Sequence, residues 1–169
     1  SNMRRLGRIG IFSKSIHTFL INLKRRHSEI FETIEKELVD RYWTEKAMSC
    51  FSLVKPSESG KTLEMVARDL FALVRRFREH EEVRSLHSYN TLLRVLKDQC
   101  RVTEEKDDQP AAVEVKPPKE VPSDSLQNPS DPDAGYSGHK GQGYQAQVME
   151  TYCDSDDESL RAKTLNLIT

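Results

Sequence analysis

Between residues 9 and 39 the apolar side chains Ile9, Phe12, Ile16, Phe19, Leu20, Leu23, Ile30, Ile34 and Leu38 recur at three- and four-residue steps. That spacing puts them on one side of an α-helix and leaves Lys24, Arg25, Glu29, Glu32 and Lys36 on the other. The pattern predicts a long amphipathic helix over 9–39. Residues 40–51 either continue it or begin a second helix with Tyr42, Trp43, Ala47 and Phe51 on one side. Such a stripe is stable only against another apolar face, and the next stretch supplies two. After a break at Lys55-Pro56-Ser57-Glu58-Ser59-Gly60, a helix is expected from about Thr62, a good N-cap residue, to Glu79. Its stripe is Leu63, Val66, Leu70, Phe71, Val74 and Phe77. A further helix covers about Ser88 to Cys100, with Leu92, Leu93, Val95 and Leu96. Three or four such helices can bury their stripes against one another as a small bundle.

The character of the chain changes at about Val102. Residues 103–129 carry Glu104, Glu105, Asp107 and Asp108 and then Pro110, Pro117, Pro118, Pro122 and Pro129. Proline removes backbone donors and restrains the residue before it, so 102–129 reads as an acidic, extended and mobile linker. Residues 130–143 are turn-rich. Residues 143–152 alternate Tyr144, Ala146 and Val148 with Gln145, Gln147 and Met149, the period of a β-strand. Cys153 to Glu158 forms an acidic loop, and residues 162–169 read as a second strand that pairs with the first. A lone hairpin is marginal in water and needs a further surface. The expected organisation is therefore α+β: a basic helical region over 1–101, a linker over 102–129 and a β region over 130–169.

Charge is divided along the same lines. Residues 1–101 hold 20 Lys and Arg against 13 Asp and Glu, a net +7, whereas residues 102–169 hold 6 against 14, a net −8. Arg4, Arg5, Arg8, Lys14, Lys24, Arg25 and Arg26 all precede the first acidic residue, Glu29. A basic opening of this kind points to a polyanionic partner, with the acidic part solvated or masking. Three well-separated cysteines, Cys50, Cys100 and Cys153, argue against a disulfide framework and fit a reducing cytoplasm. No apolar run is long enough to span a membrane, and no Cys/His spacing matches a zinc site.

Two blocks carry a resemblance to a known family. One runs from Ser130 to Tyr152 and includes Asp131-Pro132-Asp133-Ala134, Gly138-His139-Lys140-Gly141 and Gly143-Tyr144-Gln145. The other is the opening Ser1-Asn2-Met3-Arg4-Arg5-Leu6-Gly7-Arg8. Both resemble the DDE-type transposases carried by bacterial insertion sequences, and Arg161 to Thr169 resembles the strand that follows. The intervening helices resemble an insertion that some members place within their ribonuclease H-like fold. The resemblance implies a mixed sheet flanked by helices, with three acidic residues holding two Mg2+ ions for in-line displacement at phosphorus. It also implies transposon-end DNA as the partner and self-association in the intact protein. None of the three catalytic carboxylates falls on a position of this sequence, so no catalytic residue and no resident cofactor are assigned to it. The chain reads as an internal fragment of such an enzyme, inactive alone.

The candidate DNA contacts are Arg4, Arg5, Arg8, Lys14, Lys24, Arg25 and Arg26, with His139 and Lys140 at a glycine-rich loop tip. Asp131 and Asp133 are weak metal candidates, because Asp131-Pro132-Asp133 also has the chemistry of a turn. Tyr42 and Trp43 are expected in the core or at a helix–helix contact rather than as a base-stacking platform. The competing reading is a non-catalytic helical interaction or DNA-binding module with a disordered acidic tail.

Overall fold

The computed structural model describes residues 2–106, 109–130, 135–137, 141–143, 148–150 and 166–168, with side chains over 7–106 and 109–130. The first helix, α1 (Asn2–Arg26), is the axis of the fold. Its Ile9, Phe12, Ile16, Phe19, Leu20 and Leu23 are wholly buried, as their spacing requires. Helices α2 (Ser28–Phe31), α3 (Lys36–Tyr42) and α4 (Glu45–Ser52) fold back along it. Two longer helices, α5 (Ser59–Phe77) and α7 (His87–Gln99), complete the core, joined by the single turn α6 (Glu81–Arg84).

Pairs of contacts set the helix directions. Arg8, near the start of α1, bonds Gln99 at the end of α7, while Phe19 meets Tyr89 near the start of α7 at 6.1 Å between ring centroids. The two helices are therefore antiparallel. The C-terminal ends of α1 and α5 lie together: Phe19 meets Phe77 at 5.9 Å, and His27 is 3.7 Å from Glu82.

The helix expected over 9–39 is broken in two places. His27 leaves the helical region, with φ −143° and ψ 64°. Residues 32–35 then form a turn closed by Thr33 N–H to Ile30 O at 3.1 Å and by the Thr33 hydroxyl to the same carbonyl at 2.6 Å. A hydroxyl that satisfies a nearby carbonyl competes with helix continuation. The apolar period survives the break because Phe31, Ile34 and Leu38 still reach the core, now from short segments packed across α1. Residues 40–51 split between α3 and α4, and Thr44 caps α4 by accepting from Ala47 N–H at 3.1 Å. The start of α5 lies three residues earlier than expected, so Thr62 is inside the helix. The preceding turn is closed by Ser59 Oγ donating to Pro56 O at 2.7 Å.

The largest departure is in 102–129. Instead of an open linker, β1 (Cys100–Thr103) and β2 (Ala112–Val115) form an antiparallel hairpin with Cys100 opposite Val115 and Thr103 opposite Ala112. Val113 and Val115 pack against the core, and Arg75 of α5 reaches Glu105 at 3.2 Å. Beyond the prolines, Leu126 enters the core at 2% exposure, its N–H donating to Asp98 Oδ2 at 3.1 Å. The prolines shape turns between these contacts: Glu120 N–H returns to Pro117 O, and Ser125 N–H to Pro122 O.

Four further strands pair in two hairpins. β3 (Gly135–Ser137) pairs antiparallel with β4 (Gly141–Gly143), where only turns were expected. β5 (Val148–Glu150) pairs antiparallel with β6 (Asn166–Ile168), Val148 opposite Ile168, within the two stretches expected to form a hairpin. The described residues thus combine helices with antiparallel hairpins, an α+β composition.

Candidate nucleic-acid interface

The basic residues of α1 have different fates, decided by their position around the helix. Arg8 falls on the same line as Phe12, Ile16, Phe19 and Leu23, so it points into the molecule and is 8% exposed. Its guanidinium donates from Nε to Gln99 Oε1 at 2.7 Å, from Nη1 to Lys116 O at 2.8 Å and from Nη2 to Gln99 O at 3.1 Å. Burial lowers its pKa, and the adjacent Cys100 opposes that shift. The Cys100 thiol is in turn raised by burial to about 11, against the pull of Arg8 and Lys116. Arg8 is therefore a structural clasp joining the start of α1, the end of α7 and the end of the β1–β2 hairpin. Three of its N–H groups are engaged inside the protein and the side chain is buried, whereas the expected DNA contact called for an exposed one.

Lys14, Lys24, Arg25 and Arg26 are exposed. No carboxylate among the described residues lies within ion-pair distance of any of them. Lys14 and Arg25 are eleven residues apart, so they share one face of the helix at roughly 16 Å along its axis. Lys24 Nζ stands over the rings of Phe31 and Trp43, 5.2 and 5.0 Å from their centroids, which steadies the ammonium without neutralising it. Arg4 and Arg5 lie in the first turns of α1, and their side chains are outside the described set, as are His139, Lys140, Asp131 and Asp133.

Two open hollows flank the N-terminal half of α1. One, of about 410 Å³, lies between α1 and α4 and is lined by Gly10, Ser13, Lys14, Glu45, Met48 and Phe51, among others. The other, of about 230 Å³, is bounded by Gly7, Gly10, Ile11 and Lys14 on one side and Gln127, Asn128 and Pro129 on the other. The chain thus leaves the helical unit beside the point where it entered.

Tyr42 and Trp43 are core and half-buried residues, as expected. The Tyr42 hydroxyl donates to Asp69 at 2.6 Å, and burial together with Asp69 holds its pKa well above the ordinary phenol value. Asp69 also meets Arg41 at 3.4 Å, and His17 Nδ1 donates to Tyr42 O at 2.6 Å. This network ties α3 to α5 and α1. Among the described residues no three His, Cys, Asp or Glu side chains come together in a way that could hold a metal ion, so no step of metal-assisted chemistry is assigned to them. No helix among them is long and apolar enough to cross a membrane. Comparison of the chain with family models, with curated proteins and with solved structures gave no match.

Proposed function

We propose that this chain is part of a DDE-type transposase, with the helical unit as an insertion into a ribonuclease H-like fold and the β region as a section of that fold's sheet. The motifs within 130–152 motivate the reading. The observation that carries it is the meeting of residues 7–14 with 127–129 around one hollow, secured by the bonds of Arg8 to Gln99 and Lys116. An inserted unit must return the chain near its point of departure, and units with neighbouring ends are the ones folds tolerate as insertions. The two sequence blocks that resemble the family sit on either side of this juncture. In this reading the unit contributes DNA contact, and Mg2+-dependent cleavage and strand transfer depend on carboxylates supplied from elsewhere in the enzyme.

The test is to read the coding DNA on both sides of the segment encoding these residues. The expected result is an aspartate-bearing strand upstream and the remaining acidic residues downstream. Flanks that encode neither contradict the proposal. A second check uses the purified chain with Mg2+ and supercoiled plasmid, where no nicking or joining is expected. Cleavage abolished by Asp131→Ala or Asp133→Ala would instead assign catalysis to this chain.

A further inference from the structure

We infer that the outer side of α4, with the hollow between it and α1, is the contact face for a second copy of this chain, Leu53 of each copy seating in the hollow of the other. The inference goes beyond the proposed function. The family resemblance implies self-association without assigning it a surface, whereas this face is defined by its own shape and charge and stands whether or not the transposase reading does.

α4 is the one helix of eight or more residues, among those described, that buries none of them. It is amphipathic all the same. Met48 and Phe51 turn toward the core and are covered only in part, Phe51 by stacking on Tyr42 at 5.4 Å between ring centroids. Leu53, the residue that ends the helix, is 78% exposed, the highest value for a large apolar side chain among the described residues. A single exposed leucine is ordinary on a protein surface. This one adjoins an unfilled hollow. That hollow, of about 410 Å³, is lined by Gly10 and Ser13 of α1 and by Met48, Phe51 and Ser52 of α4, and Leu53 is the next residue along the chain.

The lining selects an apolar guest. Ser13 Oγ donates to Gly10 O at 3.3 Å and Ser49 Oγ to Lys46 O at 2.7 Å, so these two lining hydroxyls are already engaged by their own helices. A Cβ added at Gly10 meets no atom within 4 Å, so the space over the α1 backbone is open. A hollow with room and with its donors engaged takes a leucine side chain at less cost than a polar ligand.

Lys14 and Glu45 line the same hollow with opposite charges, and neither forms an ion pair among the described residues. Across a two-fold axis residue i of one copy meets residue j of the other, and j meets i. Leu53 then enters the opposite hollow and Lys14 faces Glu45, each contact being made twice. A second copy is the partner for which one face supplies the knob, the hole and both charges.

The test is the oligomeric state of the full chain by sedimentation equilibrium over a concentration series. Wild type is expected to pass from monomer to dimer. Leu53→Ala removes two buried leucines per dimer and should weaken association by about a hundredfold or more. Its circular dichroism and melting temperature should match wild type, because the side chain is exposed in the monomer. Lys14→Glu and Glu45→Lys should each weaken the dimer by roughly tenfold, since each sets like charges face to face twice, and the two together should restore wild-type association. Restoration separates this contact from a dimer held elsewhere, on which neither charge bears. A wild type that stays monomeric overturns the inference and leaves the face to a different protein. A dimer indifferent to Leu53→Ala, a double variant as weak as the single ones, or growth beyond the dimer through a contact that does not close overturns it as well. None of these outcomes touches the transposase reading, which fails on the flanking coding sequence.

Discussion

α1 and α5 are the two longest helices among the described residues, they pack against each other and each buries a continuous apolar stripe, yet their arginines are placed differently. Each of the three arginines of α5 meets a carboxylate: Arg68 with Glu64 one turn away, Arg75 with Glu105 in the hairpin loop and Arg76 with Glu35 in the turn before α3. In α1 one arginine is buried as a clasp and the remaining described cations face solvent without a carboxylate. Net charge by region does not convey this difference. Both helices are basic, but the three arginines of α5 are paired, two of them to neighbouring segments, whereas Lys14, Lys24, Arg25 and Arg26 of α1 meet no carboxylate among the described residues.

The comparison can be broken or sharpened by substitution. The largest effect is expected where the helices are alike. Phe19→Ala in α1 or Phe77→Ala in α5 removes a ring from a shared aromatic cluster and should destabilise the protein by about 3–5 kcal/mol in chemical denaturation. Markedly unequal losses would show that the two helices do not share one core.

Next comes the clasp. Arg8→Ala leaves the Gln99 side-chain oxygen and the Lys116 carbonyl without their donor, while the Gln99 carbonyl keeps the Lys116 N–H, and should cost about 2–3 kcal/mol. Because Arg8 faces inward, affinity for DNA measured well below the melting temperature should change little. A large loss of affinity at full folding would return Arg8 to the interface.

The thiols provide a pH test of the same buried corner. Exposed Cys50 should react with a maleimide or disulfide reagent at pH 8, while buried Cys100 should react only on unfolding. The folded-state pKa of Cys100 is raised above its ordinary value of 9.0 to about 11, so its contribution to stability is complete below pH 9 and is lost as the pH rises toward 11. Melting temperatures across that range should fall less steeply in Cys100→Ala than in wild type. Parallel curves would mean that the thiol is not desolvated.

The smallest effects concern a solvent-facing ion pair and a half-buried helix glycine. Arg75→Gln should cost no more than about 1 kcal/mol, since its carboxylate partner is solvent-exposed. Gly10→Ala should stabilise by up to about 1 kcal/mol, because an added Cβ meets no atom within 4 Å and glycine is a poor helix former. A destabilising Gly10→Ala would show that the hollow beside α1 is closed.

The helices were legible because burial of a stripe imposes a period, and Ile9, Phe12, Ile16, Phe19 and Leu23 keep that period without interruption. Their boundaries were less so. Phe31, Ile34 and Leu38 continue the same spacing after the chain has turned back on itself, so the period cannot reveal the break at His27. The β1–β2 hairpin was hidden because only Cys100, Val113 and Val115 of it turn to the core and its neighbours are acidic and proline-rich, a composition that also belongs to mobile linkers. Leu126 is one apolar residue in a polar run and carries no periodic signal, although it is buried as deeply as the helix residues. Of the candidate contacts, Lys14, Lys24, Arg25 and Arg26 sit on the surface where the sequence put them. Arg8 could have been separated from them by its place on the apolar line of α1, one turn before Phe12.

The contrast between the two helices is best tested in one assay, the anisotropy of a labelled duplex at 50 mM salt. One full-length variant carries Lys14→Gln and Arg25→Gln in α1, and the other carries Arg75→Gln and Arg76→Gln in α5. Each removes two positive charges, so any effect of net charge is the same. The expected result is at least a tenfold loss of affinity for the α1 variant and a change within about twofold for the α5 variant. Equal losses would contradict the account, because they would mean that DNA responds to the total charge of the protein and not to the unpaired face of α1.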